Sequence, residues 1–375
     1  CKMSVFGAFK RIEKDKSSPS SLDLSGVPAF KFSELRNKDQ ISQEGFATVF
    51  TAELPSSGEK IVVKKFFDDD NETERKLFKE ARLLNTLRHP NIVALKGWCL
   101  DRYALLLEYI YFDLNPFGVN ETVHCLQALL KYFDKKNCVQ IDSKVFYHAA
   151  NDIASGLQFL HENGISHRDL KPANILVSNQ HYCHLGNLAE IEEVSSHIPL
   201  TCKLTDFGES RSQEIFTNTM ISTKTKNVNR GTPVYMAPEI FSKGLRLTSA
   251  SVEDLLMADI WAYGLVVFSL ANPGLKHPFE VNMLTCAGTY TPLQCLEKFF
   301  AEKGKPKGQV KYASRQKNDW KKLVKVYEAC TEFDRFKRPD IQRVLDLLNA
   351  NQSTSAAISE EFHLRVCQST VIENK

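Results

Sequence analysis

Ile165-Ser166-His167-Arg168-Asp169-Leu170-Lys171-Pro172-Ala173-Asn174 is the stretch on which the reading of this chain turns. It places an Asp, a Lys two residues on and an Asn five residues on within one short loop. A carboxylate can orient a hydroxyl nucleophile and accept its proton. An ammonium can neutralise a phosphoryl group, and an amide carbonyl can ligate magnesium. Three such residues alone would be a weak signal, so the flanking sequence has to be consistent with the same chemistry.

On the N-terminal side, short β-rich runs occupy Ala47–Ala52, Lys60–Phe67 and Tyr103–Tyr109, and Glu72–Leu87 reads as a helix, with Leu77, Ala81, Leu84 and Leu87 near helical spacing. Beyond residue 120 helices dominate. Asp142–Asn163 is predicted as a long helix capped by Asp142 or Ser143 and stopped by Gly164. Val252–Asn272 and Asp319–Thr331 follow, and Pro339 is placed at the start of a last helix. A small β-rich lobe followed by a larger helical lobe leaves a cleft between them, where ligands tend to sit. Further short segments punctuate this pattern: Ile61-Val62-Val63-Lys64, with Glu80 sixteen residues on; Thr205-Asp206-Phe207-Gly208; Met236-Ala237-Pro238-Glu239; Asp259-Ile260-Trp261-Ala262-Tyr263-Gly264; and Lys337-Arg338-Pro339.

Taken in order, these segments resemble the eukaryotic-type protein kinase catalytic domain, over roughly residues 35–348. The resemblance implies an α+β, bilobal fold: an arm over 1–33, a kinase domain over 34–348 (N-lobe about 34–109, C-lobe about 110–348) and a polar tail over 349–375. It implies an ATP-dependent transferase acting on protein substrates with Mg2+ as cofactor. Asp169 would orient the substrate hydroxyl, Lys171 would steady the γ-phosphoryl, and Lys64, held by Glu80, would contact the α and β phosphates. Asn174 and Asp206 would hold the metal. The nucleotide would lie against Ile41, Ser42, Gly45, Val49 and Val62, with Leu107 as gatekeeper and the adenine near Glu108, Tyr109 and Ile110. His167, Phe207, Gly208, Glu239, Asp259 and Arg338 would be structural, Arg338 pairing with Glu239. Taken singly, Lys64 would be a strand-edge lysine, Glu80 a solvated helix charge and Asp206 a turn aspartate; their shared order is what distinguishes them.

Lys171, and Thr232 in Gly231-Thr232-Pro233-Val234-Tyr235-Met236, resemble the serine/threonine class. Arg88-His89-Pro90-Asn91-Ile92-Val93 followed by Gly97-Trp98-Cys99 most resembles the tyrosine-kinase-like branch. The segment 206–239 is the expected activation loop. A phosphate on Thr217, Thr219, Ser222, Thr223 or Thr225, placed by an upstream kinase or by the chain itself, could pair with Arg168. The alternative function is a nucleotide-binding pseudokinase scaffold.

Three departures qualify the resemblance. In Ile41-Ser42-Gln43-Glu44-Gly45-Phe46-Ala47-Thr48-Val49, aligning Val49 puts Ser42, Glu44 and Ala47 where the family carries glycines, and only Gly45 remains. Glu44 would bring a carboxylate toward a triphosphate. At ~6 Å and an effective dielectric of about 20 one such pair costs ~3 kcal/mol before screening. Metal and lysine neutralise most of it, leaving ~1 kcal/mol, or roughly fivefold in affinity. Titration calorimetry of Glu44→Gly is expected to show tighter ATP binding by that factor and a smaller change for adenosine; equal effects on both ligands would mean that Glu44 acts through packing.

Second, Asp206 follows Asn174 by 32 positions, and the surplus near 179–199 contains His181, Cys183 and His184. These are conceivable zinc ligands at irregular spacing, but a surface insertion between two strands is the simpler reading. Third, residues 301–325 hold nine Lys or Arg against Glu302 and Asp319, which reads as a solvated basic face or a site for an acidic partner.

Bulk properties are those of a soluble globular chain. The 375 residues are 43% hydrophobic and 25% charged, and a formal net charge of +3 gives no reason to expect nucleic acid or an anionic membrane as partner. Ten cysteines without CxxC pairs suggest reduced thiols in a cytoplasmic, intracellular protein. Residues 1–29, with Ser17-Ser18-Pro19-Ser20-Ser21, read as a linker, and Cys1 in place of an initiator Met suggests an excised fragment. The longest apolar run, Ile260 to Ala271, is shorter than a membrane span and is expected to be a core helix.

Overall fold

The structure, a computed structural model, describes residues 24, 26–44, 47–67, 71–99, 101–136, 143–212, 225, 228–286, 288–309, 312 and 320–350. Strands β1 (Arg36–Glu44), β2 (Ala47–Glu53), β3 (Lys60–Phe66), β4 (Leu95–Cys99) and β5 (Ala104–Glu108) form one antiparallel sheet in the order β1-β2-β3-β5-β4. Period-two alternation sorts its side chains. Ala52, Ile61, Val63, Ala104 and Leu106 close a small outer core with Leu35 and Leu54. Val62, Leu105 and Leu107 face the other way, into the main core. Register then places Val49, Lys64 and Leu105 in one cross-strand row on the inner face, with Thr51, Val62 and Leu107 in the next.

Helix α1 (Asn71–Thr86) packs on the sheet through Leu77, Phe78, Ala81 and Leu84, and this apolar stripe carries Glu80 inward with it. The end of the arm read from sequence over 1–33 lies against the sheet. Ala29 forms a parallel bridge with Trp98, Phe30 N–H donates to Trp98 O (2.9 Å), Trp98 N–H donates to Pro28 O (3.1 Å), and Leu24 is buried. The physical reason is that β4 lies at the open edge of the sheet, where unpaired main-chain groups accept another segment.

The larger lobe follows. A hairpin of β6 (Phe112–Asp113) and β7 (Thr122–Val123) leads into α2 (Leu126–Lys135) and α3 (Ser143–Glu162). Ala150, Ile153, Ala154, Leu157 and Leu160 give α3 a buried stripe, each of the larger chains contributing ~1.5–3 kcal/mol. Gly164, at φ 64°, ends it. Strands β8 (Ile165–Ser166), β9 (Ile175–Ser178), β10 (Thr201–Leu204) and β11 (Arg211–Ser212) pair as β8 with β11 and β9 with β10. Between β9 and β10 the insertion holds α4 (Leu188–His197), capped by Asn187. Tyr182 is buried and donates to Pro199 O (2.7 Å), and Asn179 bonds both main-chain groups of Asp113.

Helices α5 (Pro238–Phe241), α6 (Val252–Ala271), α7 (Glu280–Leu284), α8 (Pro292–Ala301), α9 (Lys321–Cys330) and α10 (Ile341–Asn349) complete the lobe. Helix α6 begins at a Ser251–Asp254 capping box and runs twenty residues, longer than the apolar run read from sequence. It is long and apolar enough to cross a membrane by composition, yet Ile260–Leu270 are all buried among protein neighbours. The last helix starts later than expected. Asp340, not Pro339, caps it, its carboxylate accepting from Arg343 N–H (2.8 Å). Asp142, Asp319 and most of 310–319 lie outside the described residues.

Candidate active site

The Lys64 ammonium, carried on the inner face of β3, donates to both Glu80 carboxylate oxygens (2.9 and 3.1 Å) and to Asp206 Oδ1 (2.8 Å). Lys65, next along the strand, turns to the outer face over the Phe32 ring. Burial opposes the charge on Lys64, but Glu80 and Asp206 outweigh it and raise its pKa above the ordinary lysine value. Burial likewise opposes the Asp206 carboxylate, and the Lys64 charge and hydrogen bond prevail, holding its pKa below the usual range. Glu80 is almost wholly buried, whereas Asp206 is 45% exposed and so open to a further ligand.

Four donors converge on the Asp169 carboxylate. Oδ1 accepts from Thr232 N–H (2.8 Å) and Thr232 Oγ1–H (2.7 Å); Oδ2 accepts from Lys171 Nζ (2.9 Å) and Asn174 Nδ2 (3.0 Å). Lys171 also donates to Thr232 Oγ1 (2.8 Å), closing the ring. Gly231 makes that approach possible. Its φ is +106°, and a Cβ there would lie 2.3 Å from Arg168 O. Asn174 spends its amide N–H on Asp169 O as well (2.8 Å), which leaves Oδ1 as its metal-competent atom.

The backbone of the loop is held from below. Asp259 accepts from His167 N–H (2.7 Å) and Arg168 N–H (2.8 Å). These bonds stabilise Arg168 at φ 70°, and Asp206 adopts a similar φ of 64°; both lie in the left-handed region costly for non-glycine residues. His167 contacts Thr205 O (3.0 Å) and packs its ring 5.1 Å from that of buried Phe207. Gly208 sits beside both acids, where a Cβ would be 3.6 Å from Asp206 Oδ1 and 3.7 Å from Glu80 Oε2. Further down, Arg338 grips Glu239 through two bonds (2.6 and 2.9 Å).

For a nucleotide, Val49, Val62 and Leu107 line the inner face of the sheet, with Ile41 exposed and Ser42 paired to Val49. Gly45, Phe46 and the Glu44 side chain lie outside the described residues. At the end of β5 the side chains already have partners. The Glu108 carboxylate accepts from Lys203 Nζ (2.7 Å) and Ala94 N–H (2.8 Å), and the Tyr109 ring lies under Lys60 (4.4 Å). Any contact of Glu108 with an adenine therefore has to come from main chain. Ile110 is buried, its carbonyl accepting from His124 (3.1 Å).

The protein kinase domain family matches residues 35–347. This chain belongs to that family. Its relatives include a probable L-type lectin-domain containing receptor kinase VI.1 of Arabidopsis thaliana, 29% identical over 71% of this chain and 34% of its own length. The L-type lectin-domain containing receptor kinase VI.2 of the same plant is 33% identical over 61% and 28%. A probable LRR receptor-like serine/threonine-protein kinase is 30% identical over 62% and 19%. The chain thus spans about a third or less of the length of these three relatives, each of which is named as a receptor or receptor-like kinase.

Sequence reasoning missed several members of this kinase site. His161 is a third donor facing Asp259, at 3.3 Å. Lys203 behind β5 has no local signature. Of the candidate phosphorylation sites only Thr225 is described, paired with Ala250. In the insertion, His184 bonds Tyr111 (2.7 Å) and His181 bonds Ile198 O (2.9 Å); no three His, Cys or acidic residues converge as a metal set among the described residues.

Proposed function

We propose that this kinase domain is catalytically active and transfers the γ-phosphoryl of ATP to serine or threonine hydroxyls of protein substrates. The observation that carries the reading is the joint geometry of Lys64 and Asp169: one lysine bridging Glu80 and Asp206, and one carboxylate fixed by Lys171, Asn174 and Thr232. The donor set fits magnesium, a hard cation taking oxygen ligands: a half-exposed carboxylate on Asp206 and an amide oxygen on Asn174. Bound there, the ion supplies positive charge against the phosphate oxygens. Lys64 neutralises the α and β phosphates and is kept in place by Glu80. Asp169 orients the incoming hydroxyl and takes its proton, with both carboxylate oxygens pre-positioned so that no reorganisation is needed during transfer. Lys171, already 2.8 Å from Thr232 Oγ1, steadies the transferring group from the opposite side.

A non-catalytic scaffold is the second reading, favoured by Ser42, Glu44 and Ala47 at the glycine positions. A scaffold has no chemical use for the complete set Lys64, Glu80, Asp169, Asn174 and Asp206, which weighs toward activity. Control would come through the segment after Asp206. Burial, with the like charges of Arg211 and Arg230, lowers the Arg168 pKa despite Glu209 and Asp259 nearby, so a phosphate placed there by an upstream kinase or by the chain itself would be welcomed. Free Cys99, Cys202 and Cys330, all buried, fit a reducing, cytoplasmic setting.

The test is a Mg-ATP phosphotransfer assay on a generic protein substrate, with Lys64→Met alongside. Expected are incorporation by the native chain as phosphoserine or phosphothreonine and loss of incorporation in the variant. Predominant phosphotyrosine would overturn the substrate class. Near-native transfer by Lys64→Met would overturn the assignment of the phosphate clamp.

A further inference from the structure

Glu80 reaches Lys64 only if α1 keeps its rotation and its distance from the sheet, and one neighbour of α1, Trp98, is held by a segment that precedes the matched kinase domain. Two residues before Glu80, the Phe78 ring meets Trp98 edge-on at 5.5 Å. Trp98 is clamped by the preceding segment through both of its main-chain groups, its N–H donating to Pro28 O and its C=O accepting from Phe30 N–H. Leu24 and Val27 join the same apolar cluster as Phe78 and Trp98. Farther along, Phe32 N–H donates to the Asp101 carboxylate (3.1 Å), and the Phe32 ring meets Phe50 at 5.9 Å. The docking is close as well as multiple: a Cβ on Gly97 would stand 2.8 Å from Pro28 O and 2.7 Å from Phe30 Cε2. Gly97 is therefore the residue that admits the segment, and any side chain there competes with it.

We propose that residues 26–34 and Trp98 are a positioning unit for the Lys64–Glu80 pair. The segment fixes the Trp98 backbone, Trp98 fixes Phe78, and Phe78 fixes the turn of α1 that presents Glu80. Edge strands are commonly covered to prevent unwanted pairing. Here the covering segment also bears on the helix that carries the lysine's partner. The apolar contact is short-range and packed, so a displacement at Trp98 is transmitted, not absorbed. The Trp98 indole N–H is buried without a hydrogen-bond partner, so packing of its ring is what holds it in place.

The kinetic part of the test rests on the active-kinase reading; the exchange part does not. Gly97→Ala pushes the segment off while leaving Trp98, Phe78 and every residue of the catalytic set unchanged. In the 375-residue chain, hydrogen exchange by mass spectrometry is expected to show faster exchange across residues 71–86 in Gly97→Ala, with α3 and α6 unchanged. In the phosphotransfer assay kcat should fall about tenfold, equivalent to ~1.4 kcal/mol in the barrier, with the KM for protein substrate nearly constant. Trp98→Ala should reproduce both effects, and Trp98→Phe, which keeps an aromatic edge toward Phe78, should restore most of each. Unaltered exchange in α1 for Gly97→Ala and Trp98→Ala overturns the proposal. Altered exchange over the whole domain also overturns it, since that is what a merely structural edge cover would give. A native chain with no phosphotransfer at all would defeat the active-kinase reading, and the exchange arm would still decide the role of the segment.

Discussion

Asp169→Asn is expected to lower the phosphotransfer rate by roughly 10³-fold, within the range typical for loss of a positioned general base, with little change in nucleotide affinity. An Asn oxygen can still accept from Thr232, so the loop keeps its course. The new amide, however, would face donors in Lys171 and Asn174, and no carboxylate remains to take the hydroxyl proton. Nucleotide affinity should persist because Lys64 and Asp206 touch neither Asp169 carboxylate oxygen, and Asn174, which does, keeps its second bond to the Asp169 main-chain carbonyl (2.8 Å). Single-turnover transfer from labelled ATP gives the rate, and calorimetry gives the affinity. A loss smaller than about tenfold would remove Asp169 from the role of base.

The second large effect concerns stability. Arg338→Ala is expected to destabilise the fold by ~3–5 kcal/mol, the cost of leaving a buried charge without its partner. The Arg338 guanidinium is fully buried, bonds both Glu239 oxygens, donates to Met257 O (3.0 Å) and Glu332 O (2.7 Å), and lies 5.0 Å from the Trp261 ring centre. Its removal strands the Glu239 carboxylate and two carbonyls. Arg338→Lys should recover little, since an ammonium cannot supply the planar fork. Adding Glu239→Gln to Arg338→Ala should cost less than the sum of the two single changes. Urea unfolding measures this as a shift in midpoint at constant slope; a loss under ~1 kcal/mol for Arg338→Ala would mean that water replaces the pair.

The catalytic loop was legible because its chemistry is local: Asp169, Lys171 and Asn174 share one turn, and their spacing in sequence is their spacing in space. Lys64 and Glu80 were legible for a related reason, strand alternation fixing one and helical periodicity the other. Partners joined across the fold were not. His161 and Asp259 lie 98 residues apart, and neither helix announces the contact. Sequence gives the position of Glu108 on β5 but not the lysine, 95 residues on, that holds its carboxylate. The docking of 26–34 was hidden by composition, since a serine-rich approach masks Leu24, Val27 and Phe30. Pro339 was misplaced by one boundary because both Pro and Asp favour helix starts, and the Asp340 carboxylate took the cap.

The excursion between β9 and β10 has a consequence for how this lobe tolerates change. Ser178 and Thr201 are ladder partners, so the chain departs and returns at adjacent points of a formed sheet. The entropy of closing such a loop rises only with the logarithm of its length, and doubling the number of residues costs about 0.6 kcal/mol. The ladder from Ile175↔Leu204 to Ser178↔Thr201 carries the strain of any lengthening before it can reach Asp206, two residues past the strand. Residues 183–197 are therefore a place where a foreign peptide, an epitope or a fluorescent reporter could be spliced in with Asp206 left in register.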